Sequence, residues 1–186
     1  MAEQAKQTIT PSDEDDCIKF VNEHREEIAC GLYDLQLEKP WARALDSADL
    51  LLIAKHCPIS RPVIASITKA ADLLEALAAD PDPGVREAVA DNPKTPINSL
   101  EALASDTASS VRMAVAGNAN TPGAHLERLA GDSVNYVRWS VANNENTPPA
   151  ALKSLAKDPD SHVRDQAKSN PNTPKTSFFA RLIGRD

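Results

Sequence analysis

The side chains of this chain that could carry out catalysis or bind a metal are few and poorly spaced for either role. The histidines and cysteines are scattered along 186 residues: His24, His56, His125, His162, Cys17, Cys30 and Cys57. None of their spacings matches a zinc site. His56 and Cys57 are adjacent, but adjacent side chains on a helix point apart, which disfavours a nucleophile–base pair. We therefore expect no catalytic residue, no metal site, no cofactor and no enzymatic activity.

Four arginines recur every 26 residues and could in principle bind an anion. An aspartate precedes each arginine by six residues, and the eight residues are Asp80, Arg86, Asp106, Arg112, Asp132, Arg138, Asp158 and Arg164. This aspartate offers its arginine a charge-assisted hydrogen-bond partner. Because paired charges present little field to a ligand, we interpret the set as a structural Asp/Arg ladder.

Positions beside the ladder differ between copies and indicate a binding surface. Tyr136 and Trp139 are three residues apart, hence on one face of a helix, and Met113 and His162 occupy equivalent or adjacent places in the flanking copies. Tyrosine and tryptophan are enriched in interaction hot spots, and aromatics are only 4% of this chain. We expect these four residues to form a partner-binding patch. The alternative is that Trp139 packs beneath a neighbouring side chain or beneath the N-terminal segment.

These residues lie in a repeat whose period of 26 holds without insertions. The strings PGVREAVADNPKTP, SSVRMAVAGNANTP, NYVRWSVANNENTP and SHVRDQAKSNPNTP align with one another, together with the leucine pairs Leu74/Leu77, Leu100/Leu103, Leu126/Leu129 and Leu152/Leu155. The period predicts a stack of helix pairs, each stabilised by its neighbours. Thr95 and its equivalents should N-cap helix A with proline at its first position, the ladder aspartate should N-cap helix B, and Asn92 and its equivalents should end helix B in a left-handed conformation.

The flanks predict caps on this stack. We assign residues 1–45 to an N-terminal helical cap with an acidic start, 46–72 to a degenerate first repeat, 73–174 to four repeats and 175–186 to a C-terminal capping half-repeat. The acidity is local, since residues 1–60 carry 12 acidic and 6 basic side chains, against 15 and 14 in the remainder. This balance disfavours nucleic acid as a partner. The longest apolar run is too short to cross a membrane, and the three irregularly spaced cysteines indicate a reducing, cytoplasmic location.

The pattern L-x-x-L-A-x-D-x-x-x-x-V-R-x-x-V-A-x-N-x-x-T-P over residues 73–174 resembles the leucine-rich repeat variant family of bacterial proteins and, more distantly, HEAT-like repeats. The resemblance implies an all-α solenoid of short helix pairs, either all α-helical or alternating α and 3₁₀ helices, that serves as a binding scaffold. Some members hold an iron–sulfur cluster in a cysteine-rich N-terminal segment. The cysteines here lie 13 and 27 residues apart with no C-x-x-C, so that feature does not carry over.

The function that these observations favour is a non-catalytic scaffold that binds another protein. An iron–sulfur or redox protein, suggested by the family alone, is one alternative. A HEAT-like protein that binds nucleic acid is another, but it would need a basic surface that the repeats lack. A homodimer formed through the patch or through an end of the stack also remains open.

Overall fold

The computed structural model describes residues 47–174, and the chain divides into two compact units, residues 1–64 and 65–186. In the first unit, helix α1 spans Ser47–His56 and a 3₁₀ turn spans Pro58–Ser60. The turn is held by the Ser60 hydroxyl, which donates to the Cys57 carbonyl at 2.6 Å. Ile53, Ala54 and Cys57 are buried. The predicted caps, residues 1–45 and 175–186, lie outside the described residues.

Helix α2 follows at Arg61–Ile67, and the rest of the described chain consists of four helix pairs in register with the sequence period. The A helices have seven residues each and are α3 (Ala71–Leu77), α5 (Ile97–Leu103), α7 (Gly123–Leu129) and α9 (Pro149–Leu155). The B helices have nine residues each and are α4 (Pro83–Asp91), α6 (Ser109–Gly117), α8 (Asn135–Asn143) and α10 (Ser161–Ser169). Within residues 47–174 there is no strand, so the described chain is an all-α solenoid.

Both helices of every pair are α-helical, and the 3₁₀ alternative left open by the resemblance is not found in the described repeats. Neither helix is long enough to persist alone in water, where about 12 residues or more are needed. The B helices lie side by side, each packed against the next. No helix in the described part of the chain has the length and apolar character needed to cross a membrane.

The core of each repeat is built from the leucines of helix A and the valines of helix B. Leu100, Leu126 and Leu152 are fully buried, as are Val89, Val115 and Val141. Burying a side chain of this size contributes about 1.5–3 kcal/mol. The small alanines Ala90, Ala116 and Ala142, also fully buried, let neighbouring layers approach closely. Small and branched side chains at fixed positions therefore supply the continuous apolar interior.

Buried asparagines join each repeat to the one before it. The Asn118 side-chain amide donates to the carbonyls of Ala90 and Asn92 at 2.7 and 3.0 Å, and its oxygen accepts from the Asn120 N–H. Asn144 and Asn170 repeat the arrangement. Asn92 donates instead to the carbonyls of Ala65 and Thr68. Each asparagine thus donates to two buried backbone carbonyls of the preceding layer, and buried carbonyls of this kind need such donors.

Three of the expected helix-terminus roles are wrong. Thr95, Thr121 and Thr147 do not cap helix A, because each hydroxyl donates backwards to a carbonyl of the preceding helix B, as Thr121 does to Val115 at 2.5 Å. The N-cap residues of α5, α7 and α9 are the prolines Pro96, Pro122 and Pro148. The terminal asparagines are extended rather than left-handed, with φ of −64 to −70° and ψ of 124 to 133°. The threonines thus bond to a carbonyl six residues earlier, and the asparagines bond to the preceding layer, in place of the expected caps.

The third role concerns the ladder aspartates, which precede the N-cap residue of helix B by two residues instead of being that N-cap. The Asp132 carboxylate accepts from the Val134 N–H at 2.9 Å, in the turn that leads into α8, whose N-cap is Val134. The carboxylates of Asp80, Asp106 and Asp158 likewise accept from the backbone N–H two residues later. The turn leaves the rest of each carboxylate available for a contact with another repeat.

Candidate functional site

The ladder arginines bridge neighbouring repeats. Nε and Nη2 of Arg86 donate to the two carboxylate oxygens of Asp106 at 2.6 and 2.9 Å, and Nη1 donates to the carbonyls of Asp80 and Pro81. Arg112 with Asp132 and Arg138 with Asp158 repeat this geometry. The carboxylate partner is therefore the aspartate 20 residues later, not the one six residues earlier that spacing suggested. The earlier aspartate contributes its backbone carbonyl.

The pairing shifts the ionisation of both partners. Hydrogen bonds from the arginines, aided by a backbone N–H, lower the pKa of Asp106, Asp132 and Asp158 against the opposing effect of burial. The same hydrogen bonds raise the pKa of Arg86, Arg112 and Arg138. Both members of each pair remain charged at neutral pH, so they neutralise each other and leave little field for a free anion.

Arg164 is the last arginine of the series and differs from the others. Its Nη1 donates to the carbonyls of Asp158 and Pro159 at 2.7 and 2.9 Å, as in the other repeats. Among residues 47–174 no carboxylate pairs with it, and the position 20 residues later is Gly184. Its Nη1 therefore contacts the backbone of the turn between α9 and α10.

Large apolar side chains are exposed on two neighbouring B helices. Met113 on α6 is 37% exposed, while Tyr136 and Trp139 on α8 are 68% and 40% exposed. His162 on α10 is exposed at the position equivalent to Tyr136. Because the B helices lie side by side, equivalent positions are separated by about 8–10 Å. The four residues of the predicted patch therefore lie on one surface, and Trp139 is not packed away.

The backbone beneath the patch is held by contacts between helices. The Ser140 hydroxyl on α8 donates to the Met113 carbonyl on α6 at 3.0 Å. A Cβ at Gly117 would come within 3.3 Å of the same Ser140 oxygen, so glycine permits this close approach. On the other side, Gln166 donates to Asn143 at 2.8 Å and Asn135 donates to Asp160 at 2.7 Å. Helix α8 is thus fixed between α6 and α10, which presents Trp139 on a rigid support.

Sequence reasoning missed these supporting residues, although the alignment contained a signal. Ser140 and Gln166 stand where the first two repeats have Ala88 and Ala114. The third and fourth repeats therefore depart from the pattern at the buried edge of helix B as well as on its exposed face. Comparing the repeats for small polar substitutions as well as for aromatic ones would have identified Ser140 and Gln166.

Other polar side chains in the described residues do not assemble into a metal site. No group of three histidine, cysteine or acidic side chains lies close enough together to hold a metal ion within residues 47–174. Cys57 is fully buried, and His125 Nε2 lies 3.5 Å from the Glu101 carboxylate. His24, Cys17 and Cys30 are outside the described residues.

The fold and the repeated hydrogen bonds define a class of protein: an α-solenoid built from 26-residue helix pairs. A family model described as leucine rich repeat variant matches residues 110–134, which include α6. A solved structure titled "A leucine-rich repeat variant with a novel repetitive protein structural motif" is similar, with 26% identity over 87% of this chain and 67% of that chain, and a TM-score of 0.55. No match was found among curated proteins. The repeat at residues 110–134 thus matches the leucine-rich repeat variant model, and the described chain is similar in fold to a solved protein of that kind, as a repeat scaffold.

Proposed function

We propose that this protein is a non-catalytic scaffold that binds another protein through the exposed face of its B helices, centred on Met113, Tyr136, Trp139 and His162. The observation that carries the proposal is the exposure of three large apolar side chains on two adjoining helices. Water-exposed tyrosine and tryptophan on a rigid support contribute binding energy at low entropic cost. The irregular spacing of the cysteines, which we expect to be reduced thiols, supports the cytoplasm as the compartment of this activity.

A comparative capture from native cell extract tests this function. The bait proteins are the wild type, the double variant Tyr136→Ala/Trp139→Ala, and the control Ile97→Ala, which removes an exposed apolar side chain from the A helix α5. Circular dichroism verifies that all three are folded. We expect a protein captured equally by the wild type and the control, and at least tenfold less by the double variant, since hot-spot truncations cost about 2 kcal/mol or more.

Equal capture by all three baits would place the binding site elsewhere and reject the proposed face. Capture that is lost with Ile97→Ala but kept by the double variant would move the site to the A helices.

A further inference from the structure

Carboxylates lie on both sides of the exposed apolar patch. Along the row of equivalent positions, Glu87 on α4 precedes Met113 on α6, and Asp165 on α10 follows Trp139 on α8. Asp91 stands one helical turn beyond Glu87 on the same face. The face therefore has an apolar and aromatic centre with acidic positions at both ends.

These carboxylates are not neutralised as the ladder aspartates are. Asp165 lies 3.7 Å from Lys168, but both side chains are largely exposed, so the pair is weak. Protein atoms around Asp91 reduce its hydration although its side chain reaches solvent, and together with the negative charge of Glu87 they raise its pKa. Lys94 follows Asp91 by three residues, in the loop after α4.

Three of the four ladder arginines on these helices are already neutralised and do not offset this acidity. Arg86, Arg112 and Arg138 are bound to their aspartates, and Arg164 is directed to carbonyls at the A–B junction. A partner approaching the exposed face therefore meets aromatic rings first and carboxylates at either side. Such a surface attracts cations, both by Coulomb attraction and by cation–π contact with Trp139 and Tyr136.

We infer that the occupant of this face is an extended segment of another protein that carries lysine or arginine on both sides of an apolar residue. The inference rests on the proposed function, since it names the chemistry of the partner at the same site. From Glu87 to Asp165 the row crosses three helix spacings, about 25–30 Å, which an extended chain of about eight residues spans. The apolar residue contacts Met113 and Trp139, and the basic residues reach the carboxylates.

Selection from a displayed library of random octapeptides tests this chemistry. The full-length wild type is the target, beside Tyr136→Ala/Trp139→Ala and the charge variant Glu87→Gln/Asp165→Asn, each verified to be folded by its thermal unfolding. We expect selected peptides to be enriched in lysine and arginine about twofold or more over the library. Their affinity should fall at least tenfold in the aromatic variant and about threefold in the charge variant, where two exposed charge contacts are lost.

The outcomes separate this inference from the proposed function. Selected peptides that need Tyr136 and Trp139 but show no basic excess, or that bind the charge variant unchanged, overturn the inference and leave protein binding by this face in place. Basic peptides that bind the aromatic variant as well as the wild type overturn both. Failure to select any peptide overturns the extended-segment inference, as does a wild-type dimer in sedimentation that the aromatic variant abolishes, because a second copy would then cover the patch.

Discussion

At the scale of single residues, the Asp–Arg contacts between repeats differ from ordinary surface ion pairs. Their side chains are only 5–16% exposed, and each arginine makes two hydrogen bonds to one carboxylate. Exposed pairs contribute little because water screens them, whereas a bidentate, partly desolvated pair loses much when one partner is removed. The aspartate also holds the turn before helix B, so one side chain joins local and tertiary structure.

Replacing Asp132 with asparagine isolates the charge in this contact. Asparagine keeps an oxygen for the Val134 N–H but cannot pair ionically with Arg112. We expect the free energy of unfolding, measured with urea, to fall by about 2 kcal/mol. The control Asp165→Asn changes an exposed carboxylate and should cost less than about 0.5 kcal/mol. Equal losses in the two variants would show that the Arg112 contact contributes no more than a surface charge.

At the scale of elements, the end of each helix B is determined by the repeat before it. A helix that ended by local rules would use a left-handed residue or a side-chain cap. Here the terminal asparagine stays extended, and its side chain reaches the backbone of the previous layer. The threonine that follows donates back to the same helix B. The asparagine that ends each helix B therefore also joins that repeat to the one before it.

Replacing Asn118 with alanine should destabilise the array by about 2–4 kcal/mol. The substitution removes the donor to the buried Ala90 carbonyl and the acceptor of the Asn120 N–H, and each unsatisfied buried group costs about 1–3 kcal/mol. The Asn92 carbonyl keeps the Thr95 N–H as a donor. Urea unfolding followed by circular dichroism measures the change. Asn120→Ala is the matched control, because the Asn120 side chain makes one exposed bond, to the Pro93 carbonyl, and its backbone N–H is unchanged by the substitution. A loss no larger than that of the control would contradict the structural role of the buried asparagine.

At the scale of the whole molecule, stability is the sum of contacts between successive layers. Each described repeat contacts its neighbours through one set of leucines and valines, one asparagine and, at three junctions, one Asp–Arg pair. In such an array the free energy is approximately additive over units and interfaces. A change in conditions that weakens every junction therefore lowers the free energy of unfolding by the sum of the losses at the junctions.

The dependence of stability on pH should be such a sum, because an aspartate titrates at each of the three junctions. The pKa values of Asp106, Asp132 and Asp158 are lowered in the folded chain, so the unfolded chain binds more protons near their ordinary value of 3.8. We expect the free energy of unfolding to be nearly constant from pH 7 to 5 and to fall steeply as the pH drops below about 4. Asp91, whose pKa is raised, opposes this trend at one position.

Urea unfolding at pH 7, 5 and 3, compared between the wild type and Asp132→Asn, measures the effect. The variant should lose less stability between pH 5 and 3, because one of the three paired ladder aspartates no longer titrates. An identical loss in both proteins would assign the acid sensitivity to other carboxylates.

The 26-residue period was sufficient to predict the repeat, the two helices in each unit and the composition of the core. A strict period places leucine and valine at the same layer positions throughout. It also identified Met113, Tyr136, Trp139 and His162 as departures from that period. The tertiary structure alone decided which aspartate each arginine binds, where the threonines and asparagines direct their hydrogen bonds, and that Trp139 is exposed. Spacing within one repeat predicts which residues are close along the chain. It does not predict the hydrogen bonds that the arginines and asparagines make with the neighbouring repeat, because those depend on how the layers stack.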